Sequence, residues 1–287
     1  MANIVFFGNT KYSVIVAQAV HKKLGLALVL TNPDKPAGRG KVLTPNPVKV
    51  FALASKIPTI TAAKLDKTTI AQITKLKPDF LVLADYGLIL PKELLEIPKY
   101  APLNVHHSLL PKYRGPSPAP TAILNGEEFS GVTIIKMNEQ VDAGQILAQK
   151  EYKLKPEETT DSLLTELNRL GGEIIGPVIE SYLKGTVRPI KQDETKATFT
   201  QRIKKADGFI ELENPPPPDL LNRMIRAYHP WPGVWSKLKV QSEKLKVIKF
   251  LPGQKIQVEG GKPMTMKDVL NGYPEAKRWL LKIYPDI

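Results

Sequence analysis

The sequence predicts an α/β fold: a doubly wound, mostly parallel sheet with helices on both faces, followed by a smaller β-rich unit. Three observations carry this reading. Short apolar runs alternate with stretches of helical periodicity through the first part of the chain. A polar, basic stretch and a run of four prolines, Pro215–Pro218, then break the pattern. Short alternating segments follow, too brief for helices.

The elements follow in order. Ile4–Gly8 is an apolar run ending in glycine, which suits a strand buried on both faces. Ser13–Lys23 has apolar residues at helical spacing, and Leu26–Leu30 reads as the next strand. Thr69–Lys75 is a helix and Asp79–Leu83 the strand after it. In such sheets ligands bind beyond the carboxyl ends of the strands. Three loops leave such ends: Gly8–Tyr12, Thr31–Pro47 and Ala84–Leu90. Gly131–Met137 and Leu147–Tyr152 are strand-like around the polar loop Asn138–Gln145. Thr160–Leu183 reads as one long helix ending near Gly185. Asp219–Tyr228 is a helix with Asp219 as its cap, and Lys244–Phe250 and Lys255–Glu259 are strands of a small β unit. The domain division expected is residues 1–190, a linker at 191–204 and a second domain at 205–287.

With 42% hydrophobic and 24% charged residues, the 287-residue chain has the balance of an ordinary globular protein. It has no cysteine, which removes disulfides, thiol catalysis and Cys-type metal sites. No apolar run reaches the ~20 residues of a membrane span and no signal peptide opens the sequence, so a cytoplasmic protein without membrane partners is expected; a monomer is expected as well. The net charge of +13 attracts polyanions, although lysine-rich surfaces also serve solubility. Residues 196–287 hold 17 Lys+Arg against 9 Asp+Glu, and so carry most of the excess.

The densest polar cluster is Asn104-Val-His106-His107-Ser108, after a predicted strand. On extended backbone Asn104 and His106 share one face. An amide there can stabilise an oxyanion while an imidazole moves a proton, which suits acyl transfer. Taken alone, the pattern also fits a polar strand end with a satisfied histidine. Val141-Asp142-Ala143-Gly144 supplies an acid in a turn. Gly8-Asn-Thr-Lys-Tyr lacks the repeated glycines that admit a pyrophosphate, which argues against a dinucleotide. The remaining histidines, His21 and His229, have no carboxylate–histidine spacing for a metal, and none is expected. Asn32–Lys41 reads as a long exposed loop whose cations could reach a phosphate backbone, or could simply be solvated.

Asn104-x-His106-x-Ser108-Leu-Leu-Pro111 with Arg114-Gly115, Gly131-Val-Thr and Asp142-x-Gly144 resembles the signature of the folate-dependent formyltransferases. Pro33–Lys41, continuing to Leu43-Thr-Pro45 and Pro47-Val-Lys49, is similar to the loop of those members that act on methionyl-tRNA. Ile225–Pro232 and the stretch from Gly261 to Tyr273 resemble their C-terminal domain.

The resemblance implies a Rossmann-like formyltransferase domain and an OB-like second domain. It also implies 10-formyltetrahydrofolate as cosubstrate and initiator methionyl-tRNA as partner. Asn104, His106 and Asp142 match the catalytic trio. Tyr86, Gly87, Leu88, Ile89 and Leu90 match the wall of the pterin pocket, and Ser108, Leu109, Leu110 and Pro111 the folate-contacting segment. Lys35, Arg39, Lys41, Lys204 and Lys205 are the expected tRNA contacts. Gly8-Asn9-Thr10-Lys11 and Ala84-Asp85-Tyr86 depart from the family pattern. Only about 25 residues lie between Trp235 and Gly261, too few for a five-stranded barrel, so a reduced OB-like module is expected. Transfer to a sugar nucleotide or another small amine, and an RNA-binding protein without catalysis, are the alternatives.

Overall fold

The structure is a computed structural model that describes residues 2–37, 40–239 and 245–284. The chain divides into two units. The first comprises Met1–Pro116, Ser130–Tyr152 and Leu164–Thr200, and the second Ser117–Phe129, Lys153–Leu163 and Gln201–Ile287.

The first unit opens with β1 (Ile4–Phe7), wholly buried as its continuous apolar run requires. Helix α1 (Lys11–Leu24) starts at Thr10, whose hydroxyl accepts the Ser13 N–H at 3.1 Å. β2 (Leu28–Thr31) follows. The stretch expected as a loop instead forms a hairpin, β3 (Lys35–Ala37) against β4 (Val42–Thr44), because its ends have the extended backbone to pair. Next come α2 (Pro47–Ala54), with Asn46 as cap and proline in its first turn, then β5 (Thr59–Thr61), α3 (Lys67–Lys75) and β6 (Phe80–Leu83). Short α4 (Lys92–Leu95) precedes β7 (Ala101–His106). After α5 (Pro118–Leu124), which belongs to the second unit, the chain continues through β8 (Phe129–Lys136), β9 (Gln145–Lys153) and α6 (Thr160–Leu183).

The seven-stranded sheet has the order β5-β2-β1-β6-β7-β8-β9. Its pairs are parallel from β5 to β7, and β8 runs antiparallel to β7. The winding reverses between β1 and β6, which puts a topological switch point among the carboxyl-end loops. Asn9 ties three of these loops together. Its Oδ1 accepts Thr31 Oγ1 at 2.9 Å and Asn32 N at 2.7 Å, while its Nδ2 donates to the Tyr86 carbonyl. The departure at Gly8-Asn9-Thr10 thus has a local purpose. Gly171 lets α6 lie close on β7, since a Cβ there would stand 2.5 Å from Val105 Cγ1.

In the second unit α7 (Pro218–Ala227) is capped at Pro217, and Asp219 sits in the first turn instead of capping the helix. The proline run fixes an extended entry, so the cap falls at Pro217 and the helix begins two residues earlier than a cap at Asp219 would set it. Arg223 Nε donates to the Leu124 carbonyl at the end of α5, at 2.9 Å. β10 (Val234–Lys239), β11 (Leu245–Leu251) and β12 (Lys255–Val258) form an antiparallel sheet of three strands. Two short helices, α8 (Met266–Gly272) and α9 (Lys277–Ile283), complete the unit. Among the described residues the C-terminal β region therefore has three strands, fewer than the five of a full barrel. No helix among them is long and apolar enough to cross a membrane.

Candidate active site

Asn104 and His106 lie two residues apart on β7 and so share a face. The loop after β8 folds back toward that face and delivers Asp142 to it. One carboxylate oxygen of Asp142, Oδ1, stands 3.4 Å from Asn104 Nδ2 and 3.5 Å from His106 Nδ1. Three side chains separated by up to 38 residues thus meet around one atom.

Several local features set that loop. Asp142 holds φ at 52°, in the left-handed region that few residues adopt, and Asp is among those that tolerate it. Gly144 has no alternative: a Cβ there would lie 1.9 Å from the Lys136 carbonyl oxygen. Its motif glycine reports close backbone approach.

The turn Tyr113-Arg114-Gly115 holds both ionisable members. His106 Nε2 stands 3.0 Å from the Tyr113 carbonyl oxygen, and the Gly115 N–H donates to Asp142 Oδ2 at 2.8 Å. A carbonyl can only accept, so Nε2 carries the proton and the lone pair of neutral His106 sits on Nδ1, facing Asp142. The imidazole is buried, 5% exposed, and burial holds its pKa below the ordinary value. Asp142 and the hydrogen bond to Tyr113 oppose that shift. The arrangement keeps a neutral base near neutral pH, beside an amide donor and an acid able to stabilise its protonated form.

The residues expected to contact folate fall into two sets. Tyr86 and Leu90 are core residues, 4% and 7% exposed, with the Tyr86 ring edge-on to Phe7 at 5.4 Å. Burial pushes the Tyr86 phenol up to about 12. Gly87 and Ile89 face outward, with Leu88 between these extremes. Ser108 and Leu110 are buried, Leu109 and Pro111 partly so. Ser108 Oγ donates to the Lys112 carbonyl at 2.6 Å, which closes the turn after β7. Lys35 and Lys41 are exposed on the β3–β4 hairpin, whereas Arg39 lies outside the described residues. Lys204 and Lys205 are exposed, and Lys205 Nζ stands over the Trp235 ring at 5.6 Å. No group of three His, Asp or Glu able to hold a metal occurs among the described residues.

Sequence reasoning missed Tyr113 and Gly115 as partners, because both act through the backbone. It also missed Gln192, which lies in the stretch expected as a linker. Asp85 pairs with the neighbouring His107, Oδ1 to Nδ1 at 3.5 Å, so this second departure from the family pattern has a buried partner.

A winding reversal, with an amide, an imidazole and a carboxylate gathered at the strand ends, is an arrangement suited to acyl transfer. The chain belongs to the formyl transferase family, whose model, described as formyl transferase, matches residues 2–179. Its relatives include the methionyl-tRNA formyltransferase of Roseiflexus sp. strain RS-1, 41% identical over 236 residues, 80% of this chain and 71% of that protein. The methionyl-tRNA formyltransferase of Bacillus mycoides strain KBAB4 is 38% identical over 269 residues, 93% of this chain and 83% of its own length. Within the family, these relatives put the chain among the methionyl-tRNA formyltransferases. A solved N-formyltransferase from Helicobacter canadensis, in complex with folinic acid and dTDP-3-aminofucose, shares the fold. It has a TM-score of 0.65 and 18% identity, and the match covers 92% of this chain and all of that one.

Proposed function

We propose that the protein transfers the formyl group of 10-formyltetrahydrofolate to the amino group of methionine on initiator tRNA. The observation that carries this reading is the meeting of Asn104, His106 and Asp142 around Asp142 Oδ1, in a chain whose relatives are named methionyl-tRNA formyltransferases. The amine attacks the formyl carbon as the free base. Asn104 Nδ2 donates to the formyl oxygen as it gains charge. Because Nε2 is committed to Tyr113, the amine proton passes to His106 Nδ1, and Asp142 stabilises the imidazolium. The carbon–nitrogen bond to the folate breaks as the new amide forms, and His106 returns the proton to the departing folate nitrogen. The folate is a substrate consumed at each turnover. Lys35, Arg39, Lys41, Lys204 and Lys205 are the cations proposed to meet the tRNA, and a cytoplasmic monomer is the proposed setting.

The test is formation of N-formylmethionyl-tRNA by wild type and by Asn104→Ala, His106→Ala and Asp142→Ala. Each variant is expected to lose at least ~100-fold in turnover, the scale of an oxyanion donor or general base, with smaller changes in KM. A folded His106→Ala enzyme with near-normal turnover overturns the mechanism. A second reading has one observation behind it: the Helicobacter canadensis protein of the same fold is complexed with a dTDP-amino sugar. Formylation of such a sugar with methionyl-tRNA left unmodified would favour it.

A further inference from the structure

Taking the formyl-transfer reading as its basis, we propose that Gln192 is a positioning residue for the reaction, with Arg114 behind it, holding Asp142 in register with His106. Gln192 is 4% exposed and follows the end of α6 by nine residues. Its Nε2 donates to the carbonyls of Asp142 at 2.8 Å and Gly144 at 2.7 Å. Its Oε1 accepts Arg114 Nε at 3.0 Å and Arg114 Nη2 at 2.8 Å. The orientation of this amide follows from chemistry. A guanidinium only donates and a carbonyl only accepts, so one amide between them must turn its oxygen to the first and its nitrogen to the second. All four bonds are made, and no residue of the same length except glutamine can make them.

Arg114 is itself built in. It is 3% exposed and takes Glu194 as a two-pronged partner, Nη1 to Oε2 and Nη2 to Oε1, both at 2.8 Å. Its N–H donates to the Thr198 carbonyl and its own carbonyl accepts the Thr200 N–H. The guanidinium thus has a partner in Glu194 independent of Gln192, and the Arg114 backbone is held by Thr198 and Thr200. Arg114 acts as a fixed post. The same turn supplies the Tyr113 carbonyl to His106 and the Gly115 N–H to Asp142. Both partners of the proton-transfer pair are thus referred to one turn: His106 directly, Asp142 through its carboxylate and, by way of Gln192, through its backbone.

The backbone link matters because Asp142 sits at φ 52°, a conformation held by its surroundings. With the two carbonyls released, the loop can relax and carry Oδ1 away from His106 Nδ1, which it meets at 3.5 Å. A displacement of ~1 Å at a reacting group can cost 10²-fold.

The experiment is steady-state formylation of methionyl-tRNA by Q192E, Q192M and D142N, with thermal unfolding to count folded enzyme. Q192E keeps the oxygen that Arg114 needs and puts an acceptor against two carbonyls; Q192M keeps the volume and removes both functions. Each is expected to lower kcat per folded molecule by about 10–100-fold. KM for both substrates should stay within about twofold, as expected when only transition-state interactions are lost. The acidic limb of the pH profile should move down, since a displaced Asp142 no longer raises the His106 pKa. A kcat per folded molecule within about twofold of wild type, with an unmoved limb, overturns the assignment: Gln192 then serves folding alone. D142N separates the two levels. If D142N keeps its turnover, the reading of Asp142 itself fails. If D142N is inactive while both Gln192 variants are unimpaired, only the role of Gln192 fails. If one Gln192 variant does not fold, the other decides.

Discussion

His106 shows how one buried side chain can be set by its neighbours. Burial favours the neutral ring, and Asp142 and the Tyr113 carbonyl pull the other way. Burial wins, so the ring stays neutral below the ordinary histidine value of about 6.5. The proposed mechanism needs that neutral form. The neutral form should therefore be fully present above the ordinary value and be lost only as pH falls through the lower folded-state pKa. Once kcat/KM is corrected for the fraction of acceptor amine present as free base, its profile is expected to show an acidic limb below pH ~6.5. Asp142→Asn removes a contribution that raises the pKa, so the limb should shift further toward acid while the plateau falls. A limb at or above the ordinary value in wild type would mean that another group limits the rate. Stability runs the same way: the unfolded chain binds the proton more readily, so acid below that value disfavours the fold.

The β3–β4 hairpin is the element where sequence and structure part most clearly. Pro33, Pro36, Gly38 and Gly40 argue for a loop, yet three residues on each side pair from Lys35–Thr44 to Ala37–Val42. Propensity is overridden here by local pairing, which a period-2 reading cannot detect in three residues. The hairpin leaves Lys35 and Lys41 exposed, with Val42 and Leu43 at 68% and 67% exposure, so its side chains hold up little of the core. Lys35→Ala and Lys41→Ala should each raise KM for methionyl-tRNA and lower the salt slope by about one, with KM for the formyl donor unchanged. Unchanged tRNA kinetics in the double variant would remove the hairpin from the tRNA contact. Other elements were plain in the sequence. Ile4–Phe7 is apolar at every position, Thr160–Leu183 keeps its helical period throughout, and Asn104 and His106 declare a shared face by spacing alone. The bracket around them was hidden for a physical reason. Tyr113 and Gly115 act through backbone groups that every residue has, and Gln192 is a polar residue in a polar stretch whose partners lie 48 to 78 residues away.

At the scale of the whole chain, a net charge of +13 is the property least explained by the proposed mechanism, which calls only on a histidine, an amide and an acid. The excess is spread over both parts of the sequence, +8 across residues 196–287 and +5 before them. A substrate that meets many of these cations must release many counterions on binding, and its affinity must then fall steeply with salt. A nucleotide sugar carries only two phosphates and can release few, whatever the charge of the protein around it. The two candidate substrates are therefore separable by slope, without reference to absolute rates. With methionyl-tRNA, log(kcat/KM) against log[salt] should fall with a slope steeper than about −3, as for a protein meeting several phosphates. KM for the formyl donor should change little over the same range, because its transfer chemistry sits among buried groups that salt screens poorly. Lys204→Ala with Lys205→Ala should flatten the tRNA slope by roughly two. Should tRNA and a small amine acceptor instead show the same shallow dependence, the positive surface serves solubility, and recognition of a polyanion has to be abandoned.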